Sequence, residues 1–270
     1  MALEKIFKFR SEDPAEETKP FLEHLEDLRW MLVKMALTLG IAMSVSFCFR
    51  QTLVRIIQWP LAAVNPQMVR ELRTFGVTDS LTISISMAGY AGVVLSFPIL
   101  LYFLGQFILP ALTKKEKKYV LPAIAIGFLL FLSGVCFSYF KVLPQTLAFF
   151  FKDAESLQWT PMWTVREYFS FVTQMTLAFG LAFELPVAVL VLVHVGLVNF
   201  AFLHRTRSYA IVLILMLAIL IAPTPDILTF LSLGAPMVIL YEVCIWLAWW
   251  LERFKKNQEI QAETPPESLE

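Results

Sequence analysis

Chemistry-bearing residues are scarce in this 270-residue chain, which has only 3 cysteines, 3 histidines and 10 glycines. Cys48, Cys136 and Cys244 each stand inside an apolar stretch. They show no metal-ligand spacing, and an odd count gives no disulfide framework, so they read as packing residues. The histidines are too far apart in sequence to suggest a metal site. No HExxH, no P-loop glycine-lysine pattern and no GxSxG elbow occurs, which removes the usual basis for a metalloprotease, an ATPase or a serine hydrolase. The sequence therefore predicts no enzyme, no metal and no cofactor. Charge is sparse too, at 16% of residues, against about 25% in an average soluble domain. The 22 basic and 22 acidic residues cancel, so the total charge makes no case for nucleic acid. Internal repeats, heptads and a separate globular segment are likewise missing.

What fills the space is apolar. Hydrophobic residues make up 58% of the chain and the mean hydropathy is +0.67. A hydrocarbon core about 30 Å thick takes roughly 20 helical residues. Runs of that kind lie at Trp30–Phe49, Leu81–Leu109, Val120–Leu143, Phe169–Val198, Ser208–Ala222 and Ile227–Trp250. The fold class is thus an all-α integral membrane protein with six transmembrane helices. The fifth run is short, and only Pro223-Thr224-Pro225-Asp226 separates it from the sixth, which predicts a tight hairpin and local thinning of the bilayer. The chain divides into an N-tail over 1–29, a membrane domain over 30–250 and a polar C-tail over 251–270, with Pro265-Pro266, read as disordered.

Lysines and arginines sort the loops. Lys5, Lys8, Arg10, Lys19, Arg29, Lys34, Lys114, Lys115, Lys117, Lys118, Arg205, Arg207, Arg253, Lys255 and Lys256 fall to one side. The smaller set, Arg50, Arg55, Arg70, Arg73, Lys141, Lys152 and Arg166, falls to the other and is spread over longer loops. By the positive-inside rule both termini are cytoplasmic, as an even number of spans requires. The charged first thirty residues do not read as a secretory signal peptide. Trp59, Trp159 and Trp163, and Trp246, Trp249 and Trp250 at the end of the sixth run, suit the membrane interface.

A few polar residues are too costly to be filler. Glu184 lies in the middle of the fourth run, where a charge costs about 2.5–3.5 kcal/mol on insertion scales. The surrounding Leu, Val and Phe, at roughly 0.3–0.6 kcal/mol each, let the helix insert without explaining the glutamate. Either it bonds between helices or it offers a polar contact to a cavity or a partner helix, and Pro186 loosens the helix beside it. Asp226, in the last hairpin, is placed to cap the sixth helix or to serve a function there. Glu242, near the end of the sixth run, reads as a buried polar contact. His194 reads as an interfacial or hydrogen-bonding residue and His204 as a solvated one.

Three stretches carry a resemblance. HLEDLR (His24–Arg29) before the first run, FILPALTKKEKK (Phe107–Lys118) between the second and third, and AFGLAFELP (Ala178–Pro186) with the later PTPD (Pro223–Asp226) and Tyr241-Glu242 stand in one order. Together they resemble the TatC family, the receptor subunit of the twin-arginine protein translocase. The resemblance covers roughly Phe21 to Trp250. It implies six spans in the bacterial cytoplasmic (inner) membrane, both termini inside, and export of folded proteins driven by the proton-motive force. It implies TatA-like and TatB-like single-span partners, an oligomeric receptor complex and twin-arginine signal peptides as ligands.

Residue by residue, the resemblance puts Glu116 on the loop carboxylate that recognises the arginine pair, Asp27 on the N-terminal carboxylate and Arg29 on the arginine two residues on. Phe107 falls on the loop aromatic, Pro60 on a proline of the first periplasmic loop and Glu184 on the intramembrane glutamate. The family's HLxELR glutamate is Asp27 here, one methylene shorter, with Glu26 beside it, and either can take the role. Glu116 sits among Lys114, Lys115, Lys117 and Lys118, which repel an arginine and compete for the carboxylate. The chemistry suits a receptor, because guanidinium pairs with carboxylate through two parallel hydrogen bonds that lysine cannot copy. The rival reading is a small secondary transporter with an intramembrane carboxylate, motivated by Glu184 and by Pro98, Pro186 and Pro236 within the runs. The missing inverted repeat speaks against it.

Overall fold

The computed structural model describes residues 21–108, 120–194, 198–221 and 226–263, nearly all of them helical. Helix α1 (Phe21–Cys48) leads into a surface cap made of α2 (Arg50–Val64) and α3 (Pro66–Glu71). The chain returns along α4 (Asp79–Ile108) and crosses again in α5 (Val120–Phe137), which continues through a π-helical turn at Ser138–Val142 into α6 (Leu143–Ser156). The fourth crossing is α7 (Val165–Ala182) with α8 (Leu185–His194). Then come the short α9 (Phe200–Arg205), α10 (Arg207–Ile221) and the long α11 (Ile227–Glu263).

Five of these crossings are long and apolar enough to span a membrane. The remaining crossing, α10, fifth in chain order, has 15 residues and is therefore about 22 Å long at 1.5 Å per residue, short of a hydrocarbon core of about 30 Å. The molecule is an all-helical six-span membrane protein, and its exposed apolar side chains, such as Leu37, Leu220 and Ile239, face where lipid would be. The core runs through the middle of the bundle, where Leu61, Met87, Phe131, Leu143, Met175, Phe179 and Leu233 are fully buried.

Small residues set how closely the helices approach. The most extensive helix pairing is antiparallel, α1 on α4. Within it a Cβ on Gly92 would stand 2.9 Å from the backbone nitrogen of Met43. A Cβ on Gly134 of α5 would stand 2.5 Å from the Phe179 carbonyl oxygen of α7. The two loops on the side away from the N-terminus are tied together. Arg73 and Thr164 form a parallel bridge in which the Val165 N–H donates to the Arg73 carbonyl at 2.9 Å. Arg166 also lies 3.8 Å from Asp79, whose carboxylate accepts from the Gly76 N–H at 2.7 Å.

Several boundaries differ from those the apolar runs predict, each for a local reason. The third helix continues past Leu143 to Ser156, because α6 is amphipathic: it buries Leu143, Thr146 and Leu147 and turns its charged residues outward, where a hydropathy run ends. The fourth begins at Val165, before Phe169, since Thr164 and Glu167 form a capping box. Helix α11 runs past Trp250 to Glu263, so the first part of the tail read as disordered from Leu251 is helical. Glu, Lys, Gln and Ala favour helix there, and no glycine or proline intervenes before Pro265.

Candidate functional site

The face carrying the N-terminal end of α1 brings several of the sequence-predicted residues to one level. From the Met43–Gly92 contact, Asp27 lies 16 residues back along α1 and Ile108 lies 16 residues on along α4, each about 24 Å of helix. The antiparallel register therefore sets Glu26, Asp27 and Arg29 beside the end of α4, which carries Phe107. Glu26 and Arg29 are exposed, while Asp27 and Phe107 are half-buried. Just behind them the Gln106 amide donates to the Tyr102 hydroxyl at 3.2 Å. Glu116 and its flanking lysines lie outside the described residues.

Glu184 stands at a break in the fourth crossing. Pro186 has no N–H for the Ala182 carbonyl, and the helix opens into a turn at Phe183–Glu184, where the Glu184 N–H falls back to Leu181 at 3.1 Å. Its carboxylate points at α5: a Cβ on Gly127 would stand 3.1 Å from Oε2. Oε1 is buried and has no hydrogen-bond partner among the described residues. The interhelical hydrogen bond open to it on sequence grounds is therefore not made by Oε1 among the described residues.

Pro60 is buried in the middle of α2. A proline cannot donate to the carbonyl four residues back, here that of Ile56, and the Tyr139 hydroxyl from the π-helical turn donates to that oxygen at 2.6 Å. One residue on, the Tyr168 hydroxyl of α7 donates to the Ile57 carbonyl, also at 2.6 Å. Trp59 stacks on Tyr139 with ring centroids 5.3 Å apart. Two tyrosines thus hold the cap down at the carbonyls beside the proline. Tyr139→Phe is expected to cost about 1 kcal/mol in thermal unfolding of the detergent-solubilised protein. In a Pro60→Ala background, where the restored N–H reaches Ile56, most of that cost should vanish. An equal cost in both backgrounds would dismiss the coupling.

Asp226 caps α11, its Oδ1 accepting from the Thr229 N–H at 2.7 Å. Glu242 lies 2.7 Å from the Arg207 guanidinium Nε at the start of α10. The contact is a close ion pair held by charge, since the N–H is not aligned on Oε1. Next to it the Tyr241 hydroxyl donates to the Leu203 carbonyl at 3.1 Å, so α11 grips both sides of the α9–α10 corner.

The residues thus divide among places. Glu26, Asp27, Arg29 and Phe107 share one face, Glu184 lies within the bundle, Glu242 holds the α9–α10 corner, and Pro60 and Asp226 serve the opposite side. Gly127, Tyr139, Tyr168 and Arg207 were not singled out from sequence. The signals available were a glycine inside an apolar run, tyrosines near the ends of two others and an arginine opening a short one. No group of His, Cys, Asp and Glu among the described residues is arranged to hold a metal ion.

A family model described as Sec-independent protein translocase protein (TatC) matches residues 23–236. A protein of Desulforapulum autotrophicum named Sec-independent protein translocase protein TatC is 34% identical over 248 residues, 92% of this chain and 90% of that protein. One of the same name from Akkermansia muciniphila is 46% identical over 185 residues, 68% of this chain, but the match spans only about half, 53%, of that relative. A crystal structure of a twin arginine translocase receptor, TatC, superposes with a TM-score of 0.76 at 33% identity, covering 84% of this chain and 98% of that one.

Proposed function

The chain belongs to the TatC family of Sec-independent protein translocase proteins, and from that premise we propose that it is the translocase's signal-peptide receptor and core scaffold. It is a multi-pass membrane protein of a transport system. In the proposed setting it lies in the bacterial cytoplasmic membrane with both termini inside and works with TatA-like and TatB-like single-span proteins. There it exports folded proteins at the expense of the proton-motive force. The observation that carries the receptor reading is the shared level of Asp27, Arg29 and Phe107 at the paired ends of α1 and α4.

Recognition then follows from carboxylate chemistry. One arginine of the peptide pairs with Asp27 or Glu26 and the other with Glu116, each through two parallel hydrogen bonds. An exposed ion pair contributes only about 0–1 kcal/mol, so discrimination needs partial burial. Asp27 is half-buried, and the Phe107 ring offers a face over which a guanidinium is attracted. The apolar part of the peptide inserts along the spans.

The test is binding of a twin-arginine signal peptide and its Lys-Lys counterpart to the purified protein. The Arg-Arg form should bind roughly tenfold more tightly, and Glu116→Gln should remove most of that margin. Equal binding of the two peptides would overturn the receptor reading, and export at normal rates by Glu116→Gln would remove the role given to that residue.

A further inference from the structure

Between α1, α2, α4, α5 and α7 lies a groove of 660 Å³, open to the side of the bundle. Its lining is apolar. The threonines in it, Thr173 and Thr176, turn their hydroxyls to the Phe169 and Val172 carbonyls at 2.7 Å each, so they present methyl groups. Water needs two to four polar partners to stay in such a place, and beside these threonines and Tyr139 only the hydroxyls of Ser46 and Tyr90 stand in the lining.

The charged residues that flank the lining in sequence share one sign. Within two residues of any lining position the charged residues are Arg50, Arg55 and Lys141, and no carboxylate is among them. All three are exposed. Arg50 and Arg55 belong to the cap helix that roofs the groove, and Lys141 to the π-helical turn whose Tyr139 is bonded to that same helix. None pairs with a carboxylate among the described residues. The Arg50 guanidinium instead lies back over the Phe47 ring, 5.6 Å from its centroid, at the level of the groove.

We propose that this groove is a binding site for an anionic glycerophospholipid of the leaflet on the cap side. Its acyl chains fill the apolar space under α2, and its phosphate meets Arg50, Arg55 and Lys141. The assignment needs only that the bundle is embedded in a bilayer, so it does not depend on the receptor reading. A bound lipid would steady the cap on the bundle, since it touches the cap helix and four spans at once.

Native mass spectrometry of the full chain in detergent, offered equal phosphatidylglycerol and phosphatidylcholine of matched chains, tests this. The anionic lipid should be retained preferentially. Arg50→Gln, Arg55→Gln and Lys141→Gln together should lower its retention by about fivefold per cation, leaving phosphatidylcholine unaffected. These sites are exposed, so the fold should persist, as an unchanged melting temperature in lipid-free detergent would show. Equal retention of the two lipids by the native protein, or unchanged phosphatidylglycerol in the triple variant, would overturn the proposal. A photoreactive label on the groove residue Cys136, with Cys48→Ser, should crosslink to phospholipid in native membranes. Capture of a polypeptide in its place would identify a peptide or partner helix as the occupant and also overturn it.

Discussion

Gly134→Leu is expected to leave little or no monodisperse protein, with a loss of about 3 kcal/mol or more where any can be measured by thermal unfolding in detergent. The contact it disturbs is made by backbone. A Cβ at 134 would sit 2.5 Å from the Phe179 carbonyl oxygen and 2.8 Å from the Phe183 ring, and neither helix can yield without separating α5 from α7. That seam also holds the fully buried Phe131 and Phe179, and Gly180 leaves room there for the Phe131 ring, which a Cβ at 180 would approach to 2.6 Å. Gly127→Ala, one glycine earlier on α5, is the contrast. The nearest atom to its new methyl is Glu184 Oε2 at 3.1 Å, the end of a flexible side chain. It should cost under about 1 kcal/mol and move the carboxylate rather than the helices. Equal losses in the two variants would mean that both glycines serve packing alone.

These glycines mark where sequence reading stopped. The spans themselves were legible, because lipid demands long apolar helices and the chain has few other uses for them. The fifth span's shortness was legible for the same reason, and Asp226 ahead of the last helix was open to reading as its cap. Boundaries set by side-chain hydrogen bonds were not: the Thr164–Glu167 box and the amphipathic α6 lie beyond the hydropathy signal. Of the candidate site, the motifs around Asp27 and Phe107 were visible as local strings. Their coming together depends on a register fixed far away, where Gly92 meets Met43. Pro60 could be named from resemblance, but its partners could not. Tyr139 and Tyr168 are 83 and 111 residues from the carbonyls they hold, and nothing local announces such a pairing. Arg207 looked like one more positive-inside loop residue until Glu242 stood against it.

Glu184→Ala is expected to abolish co-purification of a single-span partner, by tenfold or more, while changing signal-peptide affinity by no more than about threefold. The separation follows from geometry. Peptide recognition is assigned to the ends of α1 and α4, whereas Glu184 lies at the break between α7 and α8, against α5. Among the described residues its Oε1 is buried without a partner, a state that costs about 1–3 kcal/mol. Removing the carboxyl therefore should not destabilise the isolated protein, and the melting temperature should hold or rise slightly. The same orphaned oxygen can accept from a polar side chain of a helix that packs alongside, and in hydrocarbon such a bond contributes about 1–2 kcal/mol. With the partner's own packing added, its loss can decide assembly. Glu184→Gln separates charge from hydrogen bonding. If the amide restores co-purification, the contact is a neutral hydrogen bond; if it behaves as alanine, the partner supplies a cation. Should Glu184→Ala weaken peptide binding and lower the melting temperature together, the residue serves the fold, and the partner contact must be sought elsewhere on the bundle.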